Sequence, residues 1–311
     1  MYRIGIVSVY FGMLPNYIKF WMKSAEYNPD IDFFIVNDGT PVEHPDNVHF
    51  IKMNLSQFSE LATKKIGLPI DIKEPYKCCD FKVAYGLILE DYLKSYDFWG
   101  HCDLDLVWGR LRDFLSDDLL ANYDRIYPLG HFSLYRNIPE INKSFMLSGS
   151  EKGNYDEIFT SSKHYAFDEL RGIYLIYKKH NIPQYDKYEF ADISPVFHRF
   201  KVVTNYTNYD NNFKNQIFVW HDGRITRYYL DSNGNIKEDE YAYLHFQKRK
   251  YSDKQLNINE EKDFVISPQG FFNLNSQDIN KNLIRKYNKY YGALYEWFEW
   301  KKRNFYCGKM K

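Results

Sequence analysis

The first hundred residues alternate between short apolar runs and amphipathic segments, and this alternation limits the fold more than any other feature. The apolar runs that predict buried strands are 3–10, 31–36, 48–53 and 96–102. The segments with helical periodicity are 15–27, 55–66 and 82–94. Strands that alternate with helices predict an α/β fold with a mixed, mostly parallel central sheet and helices on both faces. Ligands of such sheets bind beyond the carboxyl ends of the strands.

The second half has a less regular pattern. We expect a strand over 124–134, a helix over 167–179 and antiparallel strands over 215–230 and 236–246, joined by an Asn-Gly turn. A basic, aromatic helix follows over 279–306. We therefore divide the chain into a domain of residues 1–275, with a nucleotide-binding half (1–110) and an acceptor half (111–275), and a helical tail of residues 276–311.

Composition excludes several classes of protein. Lys plus Arg and Asp plus Glu number 41 each, which argues against a nucleic-acid partner. The 29 tyrosines suit sugar stacking or a membrane interface, although a biased genome produces the same enrichment. The four cysteines lack the spacing of a zinc site and predict a reducing compartment. Neither a signal peptide nor an apolar run of about 20 residues is present, so we expect a cytoplasmic protein, soluble or attached to the inner face of the plasma membrane.

The strand that begins near Tyr96 ends with Asp103-Leu104-Asp105. Side chains at i and i+2 of an extended chain point the same way, so the two carboxylates repel each other unless a cation intervenes. A divalent ion that also binds substrate phosphates satisfies this arrangement. The alternative is a pair of solvated carboxylates at a strand end.

A second candidate constellation lies at Tyr243–Lys250, where His245 ends an apolar strand and three basic residues follow. A neutral imidazole can complete the coordination of a metal that two carboxylates began. The basic residues, Lys248 and Arg249 among them, can meet phosphate charge. The alternative is a strand-end histidine beside a solvated basic cluster.

Two further acidic positions have both a structural and a functional interpretation. Asp80 occupies the place of a helix N-cap, and it can also meet a nucleoside while Lys77 or Lys82 meets phosphate. Asp168 and Glu169 can supply a general base for an acceptor hydroxyl, or cap the helix predicted to follow them. Asp192 competes with them for the role of base.

The tail combines nine Lys or Arg residues with a dense set of aromatic residues between 281 and 311. A basic, aromatic helix suits the headgroup region of an anionic membrane, so residues 280–311 are a candidate for surface attachment. The alternative is a helix that docks on the domain with its basic side chains in water.

With these residues placed, the chain resembles the GT-A-fold nucleotide-sugar glycosyltransferases, and more narrowly those of bacterial capsular and O-antigen polysaccharide biosynthesis. The most specific stretches are Asp97–Asp105 and Leu244–Arg249. The other resembling segments are 4–10, 34–39, 76–86, 90–109, 131–137, 164–169 and 243–250.

The resemblance implies a site as well as a fold. Asp103 and Asp105 would bind Mn²⁺ or Mg²⁺ with His245 as a later ligand, and Asp103 and Lys248 would contact the diphosphate. The loop at Tyr10 and Phe11 would hold the nucleobase together with Asp38 and Asp80. The residues that we predict to bind the nucleotide sugar are therefore Tyr10, Phe11, Asp38, Lys77, Asp80, Lys82, Asp103, Lys248 and Arg249.

The predicted function is transfer of a sugar, as galactopyranose or galactofuranose, from a UDP-sugar to a lipid-linked or oligosaccharide acceptor. Two alternatives remain: a nucleotidyl- or phosphotransferase with the same Asp-x-Asp metal site, and a catalytically inactive module that binds sugar or membrane. The sequence has Asn37-Asp38 where many inverting relatives carry an acidic doublet, and its His-Phe-Gln-Lys run lacks the Gly and Lys-Pro-Trp of one retaining class. Inversion and retention therefore both stay open.

Overall fold

The computed structural model describes residues 1–203, 211–247, 249–274 and 279–307. The strands in this part of the chain are β1 (Ile4–Val9), β2 (Ile31–Asn37), β3 (Val48–Lys52), β4 (Phe98–Cys102), β5 (Leu106–Trp108), β6 (Arg125–Leu129), β7 (Phe132–Arg136), β8 (Gln184–Tyr185), β9 (Ala191–Asp192), β10 (Gln216–His221), β11 (Arg224–Leu230), β12 (Ile236–Tyr241), β13 (Tyr243–His245), β14 (Phe264–Ser267) and β15 (Gly270–Asn273).

The α-helices in the same ranges are α1 (Ile18–Glu26), α2 (Leu55–Ile66), α3 (Cys78–Phe81), α4 (Tyr85–Ile88), α5 (Glu90–Leu93), α6 (Asp117–Asn122), α7 (Pro139–Asn142), α8 (Tyr155–Thr160), α9 (Ile173–Lys179), α10 (Lys281–Asn288) and α11 (Ala293–Cys307). Short 3-10 turns occur at Pro75–Lys77, Lys82–Ala84, Leu111–Asp113, Ser144–Met146 and Asp253–Leu256.

These elements form two compact units that exchange segments along the chain. The first unit contains residues 1–15, 28–104 and 115–188. The second contains residues 16–27, 105–114 and 189–311. The chain passes from the first unit to the second between Leu104 and Asp105, inside the Asp-Leu-Asp motif.

The first unit is built on a seven-stranded sheet in the order β3-β2-β1-β4-β7-β6-β8. The predicted α/β class with a mixed, mostly parallel sheet is confirmed, since β1 pairs in parallel with β2 and β4, and β2 with β3. The central strands are buried along nearly their whole length because apolar residues cover both of their faces. β4 ends at Cys102 and leaves Asp103 just beyond the sheet.

The predicted helix over 82–94 is broken in the structure. The chain instead winds through the short helices α3, α4 and α5, with a 3-10 turn between α3 and α4. Gly86 lies against the indole of Trp99, where an added Cβ atom would come within 2.2 Å of the ring nitrogen. The segment therefore follows the shape of β4 below it, which its apolar periodicity alone does not encode.

The predicted strand over 124–134 is two strands. β6 and β7 form an antiparallel hairpin whose register shifts between Ile126 and Leu129. Tyr127, which is fully buried, takes a positive φ of 62° within this irregularity. Gly130 and His131 then form the turn, so they lie at the same end of the sheet as Asp103, whose backbone N–H donates to the carbonyl of His131 (2.9 Å).

The predicted helix over 167–179 begins later than expected, because α9 starts only at Ile173 after Gly172. Asp168 and Glu169 therefore lie in a loop ahead of the helix, and the interpretation that they cap it is wrong. Asp80 likewise lies inside α3 and does not act as an N-cap.

The second unit holds two smaller sheets, one of order β12-β11-β10-β14-β15 and one of order β5-β13-β9. The run predicted as one strand over 215–230 is the hairpin β10–β11, and the predicted Asn-Gly turn joins β11 to β12. Gly109 follows β5 where the backbone of 241–242 passes too close for a side chain. α1 packs on β5, with the Ser24 hydroxyl accepting the Trp108 N–H (3.0 Å).

The single tail helix predicted over 279–306 is two helices, α10 and α11, separated at Lys289 and Gly292, both of which have positive φ. α10 packs on β10 through Leu283 and Ile284. Across the described ranges of the chain, the structure holds no helix that combines the length and the apolar character needed to cross a membrane.

Candidate active site

In the first unit, the ammonium group of Lys82 connects Asp103, which follows β4, with the turn between β6 and β7. Its Nζ donates to Asp103 Oδ1 (2.6 Å) and to the Gly130 carbonyl (2.8 Å), and it lies 3.2 Å from Asp168 Oδ2. Burial opposes the charge on Lys82, but Asp103 and Asp168 outweigh burial and raise its pKa well above the ordinary value. Lys82 is therefore a buried cation shared by two carboxylates, and its predicted contact with phosphate stays a prediction.

The two carboxylates predicted as candidate bases have different surroundings. Asp168 is buried and lies beside Lys82, whereas Glu169 receives a hydrogen bond from the Gly130 backbone. Burial, followed by the charge of Asp168, raises the pKa of Glu169 to about 7. An ideal Cβ atom on Gly130 would lie 2.3 Å from Asp168 Oδ2, so only glycine lets the turn approach this pair. Glu169 is thus the carboxyl group that changes protonation near neutral pH.

Lys77 and Asp80, both predicted to contact the nucleotide, lie in the interior of the first unit. Lys77 Nζ donates to Asp80 Oδ2 (2.8 Å) and to the carbonyls of Ile158 (2.7 Å) and Lys163. The Asp80 carboxylate also accepts the backbone N–H groups of Tyr165 and Phe167, at 3.0 Å each. We call this pair with its four backbone partners the Lys77–Asp80 clamp. It fixes the loop that leads to Asp168 and Glu169.

The loops after β1 and β2 are bonded to each other, as the predicted nucleobase site requires. Asp38 Oδ1 accepts the Gly12 N–H (2.7 Å), and the Asn37 side chain donates to the carbonyls of Tyr10 and Gly12. Phe11 packs into the core, whereas Tyr10 is 36% exposed. Tyr10 and Asp38 therefore remain the candidates for contact with a base or ribose.

In the second unit, three neighbouring strands bring Asp105, Asp192 and His245 together. β13 pairs antiparallel with β5 and parallel with β9, which places His245 beside Leu106 on one side and Asp192 on the other. His245 Nδ1 lies 2.8 Å from Asp192 Oδ1, and its Nε2 lies 3.3 Å from Asp105 Oδ1. Gln247 also donates to Asp192 Oδ1 (2.5 Å). The ring is thus oriented on one side and faces a carboxylate on the other.

This arrangement fits a divalent cation between Asp105 and His245. Burial opposes a charge on His245, but Asp105 and Asp192 raise the pKa of the imidazole well above its ordinary value. A positive charge is therefore favoured at Nε2, where a proton and a metal ion are alternatives. A carboxylate on the far nitrogen is the partner that metal-binding histidines usually have.

The remaining predicted basic contacts lie next along the chain. Lys248 lies outside the described residues. The Arg249 guanidinium donates to the carbonyls of Ser194 and Phe197, at 2.9 Å each, and stacks over Phe200. The described contacts of Arg249 are therefore with the protein's own backbone and an aromatic ring, and its phosphate contact stays a prediction.

Comparison with known proteins places the chain in a family. Residues 6–275, which are most of the chain, match one family model. The chain belongs to DUF6625, a family of unknown function. No curated protein matches this DUF6625 chain at a significant level.

Three solved structures that are similar to this DUF6625 chain have TM-scores below 0.4. A crystal structure of the Q189E mutant of LgtC gives a TM-score of 0.39 at 14% identity, covering 78% of this chain and 87% of that one. The galactosyltransferase LgtC in complex with donor and acceptor sugar analogs gives 0.36 at 14% identity, with coverages of 61% and 76%. Mouse xyloside xylosyltransferase 1 gives 0.38 at 8% identity, with coverages of 62% and 88%. At such values the similarity carries no argument about activity.

Three residues that shape the two clusters of this DUF6625 chain were not predicted in the roles they take. Asp192 was a candidate base and instead orients His245. Gln247 and Gly130 carried no predicted role. The fixed pairing of His245 with Asp192 depends on β9, which is two residues long and has no periodicity that a sequence pattern can detect.

Proposed function

We propose that the chain is a metal-dependent glycosyltransferase that moves a sugar from a UDP-sugar to a lipid-linked or oligosaccharide acceptor of a cell-surface polysaccharide. The observation that supports this most is the placement of His245 between Asp105 and Asp192. A nitrogen and a carboxylate oxygen converge there, with the ring fixed from behind, as a metal ligand set needs. Asp103, only two positions before Asp105 in the sequence, is the third proposed ligand.

A bound Mn²⁺ or Mg²⁺ would neutralise the charge that develops on the nucleoside diphosphate as it leaves. In this proposal, the chain's own residues hold the reacting groups. Lys82 fixes the Asp103 carboxylate in one orientation, and the loop of Tyr10 and Asp38 would receive the uridine. UDP and a galactose in pyranose or furanose form follow from the family resemblance of the sequence.

Glu169 is the proposed base for the acceptor hydroxyl. A base works best when its pKa lies near the working pH, because it is then ionised and still accepts a proton readily. The pKa of about 7 at Glu169 meets this condition. Asp168 is held beside the Lys82 ammonium, so its negative charge is already compensated. We therefore propose Glu169 as the base and Asp168 as its supporting neighbour.

A nucleotidyl- or phosphotransferase would use the same metal chemistry, but such enzymes commonly cradle phosphates with a glycine-rich loop after a strand. The loop between β1 and α1 contains a single glycine, Gly12. An inactive sugar-binding module would need no base near pH 7 and no histidine between two carboxylates. The transferase is the function that accounts for both clusters.

The test is UDP release from a panel of UDP-sugars with Mn²⁺ or Mg²⁺, with and without oligosaccharide acceptors. We expect hydrolysis or transfer with at least one donor, and a loss of about 10²–10³-fold in rate for Asp105→Ala. Asp222→Asn is the matched control, since Asp222 is an exposed carboxylate of the same unit bonded to Arg110. Full activity of Asp105→Ala would refute the metal assignment.

The alternatives give different results in the same assay. Release of UMP in place of UDP would identify a phosphotransferase that moves the sugar phosphate. Release of pyrophosphate from UTP and a sugar 1-phosphate, in a separate arm of the assay, would identify a nucleotidyltransferase. Thermal stabilisation by UDP with Mn²⁺ and no turnover of any donor would favour the inactive module. The absence of both stabilisation and turnover with every nucleotide tested would overturn the proposal.

We also propose that α11 attaches the protein to an anionic membrane surface. The two acidic residues of the helix contact the segment 198–199 of the same unit. Glu296 pairs with Arg199, and Glu299 accepts the His198 N–H (2.8 Å). Among the described side chains of the helix, the large exposed ones are Leu294, Tyr295, Trp297, Phe298 and Trp300, with Lys301 and Lys302 beside them. An outer face of aromatic and basic residues matches a negatively charged lipid interface.

Cosedimentation with phosphatidylcholine vesicles, with and without about 30% phosphatidylglycerol, tests this attachment. We expect binding to the anionic vesicles alone, and its loss in Trp297→Ala/Phe298→Ala. Tyr92→Ala/Ile138→Ala, which removes exposed apolar side chains of the first unit, is the matched control. Equal sedimentation of the two double variants would contradict the proposed role of α11.

A further inference from the structure

An exposed pair of aromatic rings in the first unit has no part in the core. Tyr76 is 59% exposed, although it is the middle residue of the 3-10 turn Pro75–Lys77 and directly precedes the buried Lys77. Its ring packs on the imidazole of His164, with centroids 4.6 Å apart and a tilt of 49°. We call Tyr76 and His164 the aromatic platform.

The platform is held in position by the Lys77–Asp80 clamp. Lys77 follows Tyr76 directly and is bonded on three sides. On the other side, the residues before and after His164 are both tied down, since the Lys163 carbonyl accepts from Lys77 and the Tyr165 N–H donates to Asp80. An exposed tyrosine ring and a partly exposed imidazole, both on fixed backbone, lose little conformational entropy when a ligand covers them.

The platform adjoins the acidic cluster. His164, Asp80 and Asp168 each place one polar atom within 4.8 Å of the others. Asp80 is occupied by the clamp, but Asp168 belongs to the group around Lys82, next to Glu169. Asp168 itself is buried, so a ligand lying on the rings would meet this acidic group through Glu169, which is partly exposed and can accept a hydrogen bond from a hydroxyl group.

This combination selects the chemistry of the ligand. Aromatic faces favour an apolar surface, and the carboxylates favour neutral hydrogen-bond donors over further negative charge. A pyranose ring offers both, with C–H groups on one face and hydroxyls around its edge. A nucleobase would also stack, but the phosphates of a nucleotide offer no hydrogen-bond donor to Glu169, whereas the hydroxyl groups of a sugar do.

We propose that the aromatic platform of Tyr76 and His164 is a stacking subsite for a neutral pyranose sugar. The inference rests on the proposed glycosyl transfer for its biological meaning, but binding at the platform needs no turnover. The sugar can come from the acceptor or from the donor, and the experiment separates these sources.

The experiment follows carbethoxylation of His164 by diethyl pyrocarbonate, read by mass spectrometry of peptides from the intact chain. The probes are methyl β-galactopyranoside, methyl β-glucopyranoside and methyl α-mannopyranoside, with UDP and UDP-galactose as separate arms. The fraction of protein without bound glycoside is 1/(1 + [L]/Kd). A glycoside with a Kd of about 10 mM, present at about 100 mM, therefore slows the modification about tenfold. His44, exposed in the loop between β2 and β3, is the internal control.

Variants connect the protection to the platform. Tyr76→Phe keeps a stacking ring and should retain protection of His164, whereas Tyr76→Ala should lose it. Tyr92→Ala, another exposed tyrosine of the same unit, should behave as wild type. Protection by simple glycosides assigns the subsite to an acceptor-type sugar, and protection by UDP-galactose without protection by UDP assigns it to the donor sugar.

Several results would overturn the inference. They are protection by UDP alone, equal protection of His44, unchanged protection in Tyr76→Ala, and no protection by any sugar probe. Failure of the proposed function is separate, because it appears as absent UDP release from every donor. Protection of His164 in a protein without such activity would leave the sugar subsite standing and remove the transferase.

Discussion

Asp80→Asn should release the loop that carries the candidate base, because Asp80 binds that loop from the interior. The Asp80 carboxylate is fully buried and accepts three donors: the Lys77 ammonium and the N–H groups of Tyr165 and Phe167. Asparagine keeps one oxygen and replaces the other with an NH₂ group. That group must face either the ammonium or a backbone N–H, so at least one donor meets another donor.

The magnitude follows from what the change leaves behind. Lys77 is 3% exposed and would keep two carbonyl partners but no negative charge. Removing one partner of a buried ion pair costs about 3–5 kcal/mol. At a tenfold change for each 1.4 kcal/mol, exchange of the Tyr165 and Phe167 amides should accelerate by about 10²–10³-fold or more.

Hydrogen exchange read on peptides that span 158–169 measures this directly. Asp91→Asn is the control, since Asp91 pairs with Lys65 at an exposed site of the same unit and should change no exchange rate in that segment. Lys77→Met/Asp80→Asn should lose less than the sum of the single variants, because no buried charge is left unpaired. Unaltered exchange in Asp80→Asn, with weaker binding of UDP, would show that Asp80 contacts the nucleotide and is not part of a clamp.

Three further changes probe the two clusters. Asp192→Asn removes the negative charge that orients His245 and should weaken Mn²⁺ binding by about 10–100-fold in a calorimetric titration, and an unchanged affinity would remove Asp192 from the metal site. Gly130→Ala places a Cβ atom 2.3 Å from Asp168 Oδ2, so we expect a loss of about 1–3 kcal/mol in urea unfolding, and an unchanged urea midpoint would contradict this close contact. The pKa of Glu169 is raised from the ordinary 4.5 to about 7 in the folded protein. Between these two values the folded state binds a proton at Glu169 that the unfolded state has lost. The free energy of unfolding should therefore fall as the pH rises from about 4.5 to about 7. Glu169→Gln should lack this fall, and parallel urea midpoints for both proteins at pH 5 and pH 8 would contradict the raised pKa.

The parallel sheet was predictable because each of its central strands is buried on both faces. β1 and β2 appear in the sequence as short, mostly apolar runs and are buried, whereas the edge strand β3 is only partly buried. A helical segment follows β1 and β3. The end of β4 was predictable for the same reason, since the apolar run stops where the polar Asp103 begins. The position of an acidic residue beyond a buried strand is therefore information that the sequence carries locally.

The partners of those acidic residues were not predictable in the same way. Lys82 and Asp168 lie 86 positions apart, and Asp192 and His245 lie 53 apart. Their contacts depend on a broken helix, a two-residue strand and a hairpin bulge, none of which has a regular period. Only Lys77 and Asp80, three positions apart, had a local signal, and the family resemblance directed that signal toward the nucleotide.

The clamp and the acidic cluster together explain why so many charges are buried in the first unit. Lys77 and Lys82 lie in the turns before and after α3, and each ammonium is matched by a carboxylate and by backbone carbonyls. Such buried ion pairs stabilise a fold less than apolar packing of the same volume would, so stability alone does not explain their presence. Fixing the loop before Asp168 and Glu169 supplies an explanation, because a displacement of about 1 Å would remove much of the effect of the base proposed there. The buried charges of this unit thus hold a polar loop in one position, as the proposed transfer of a sugar requires.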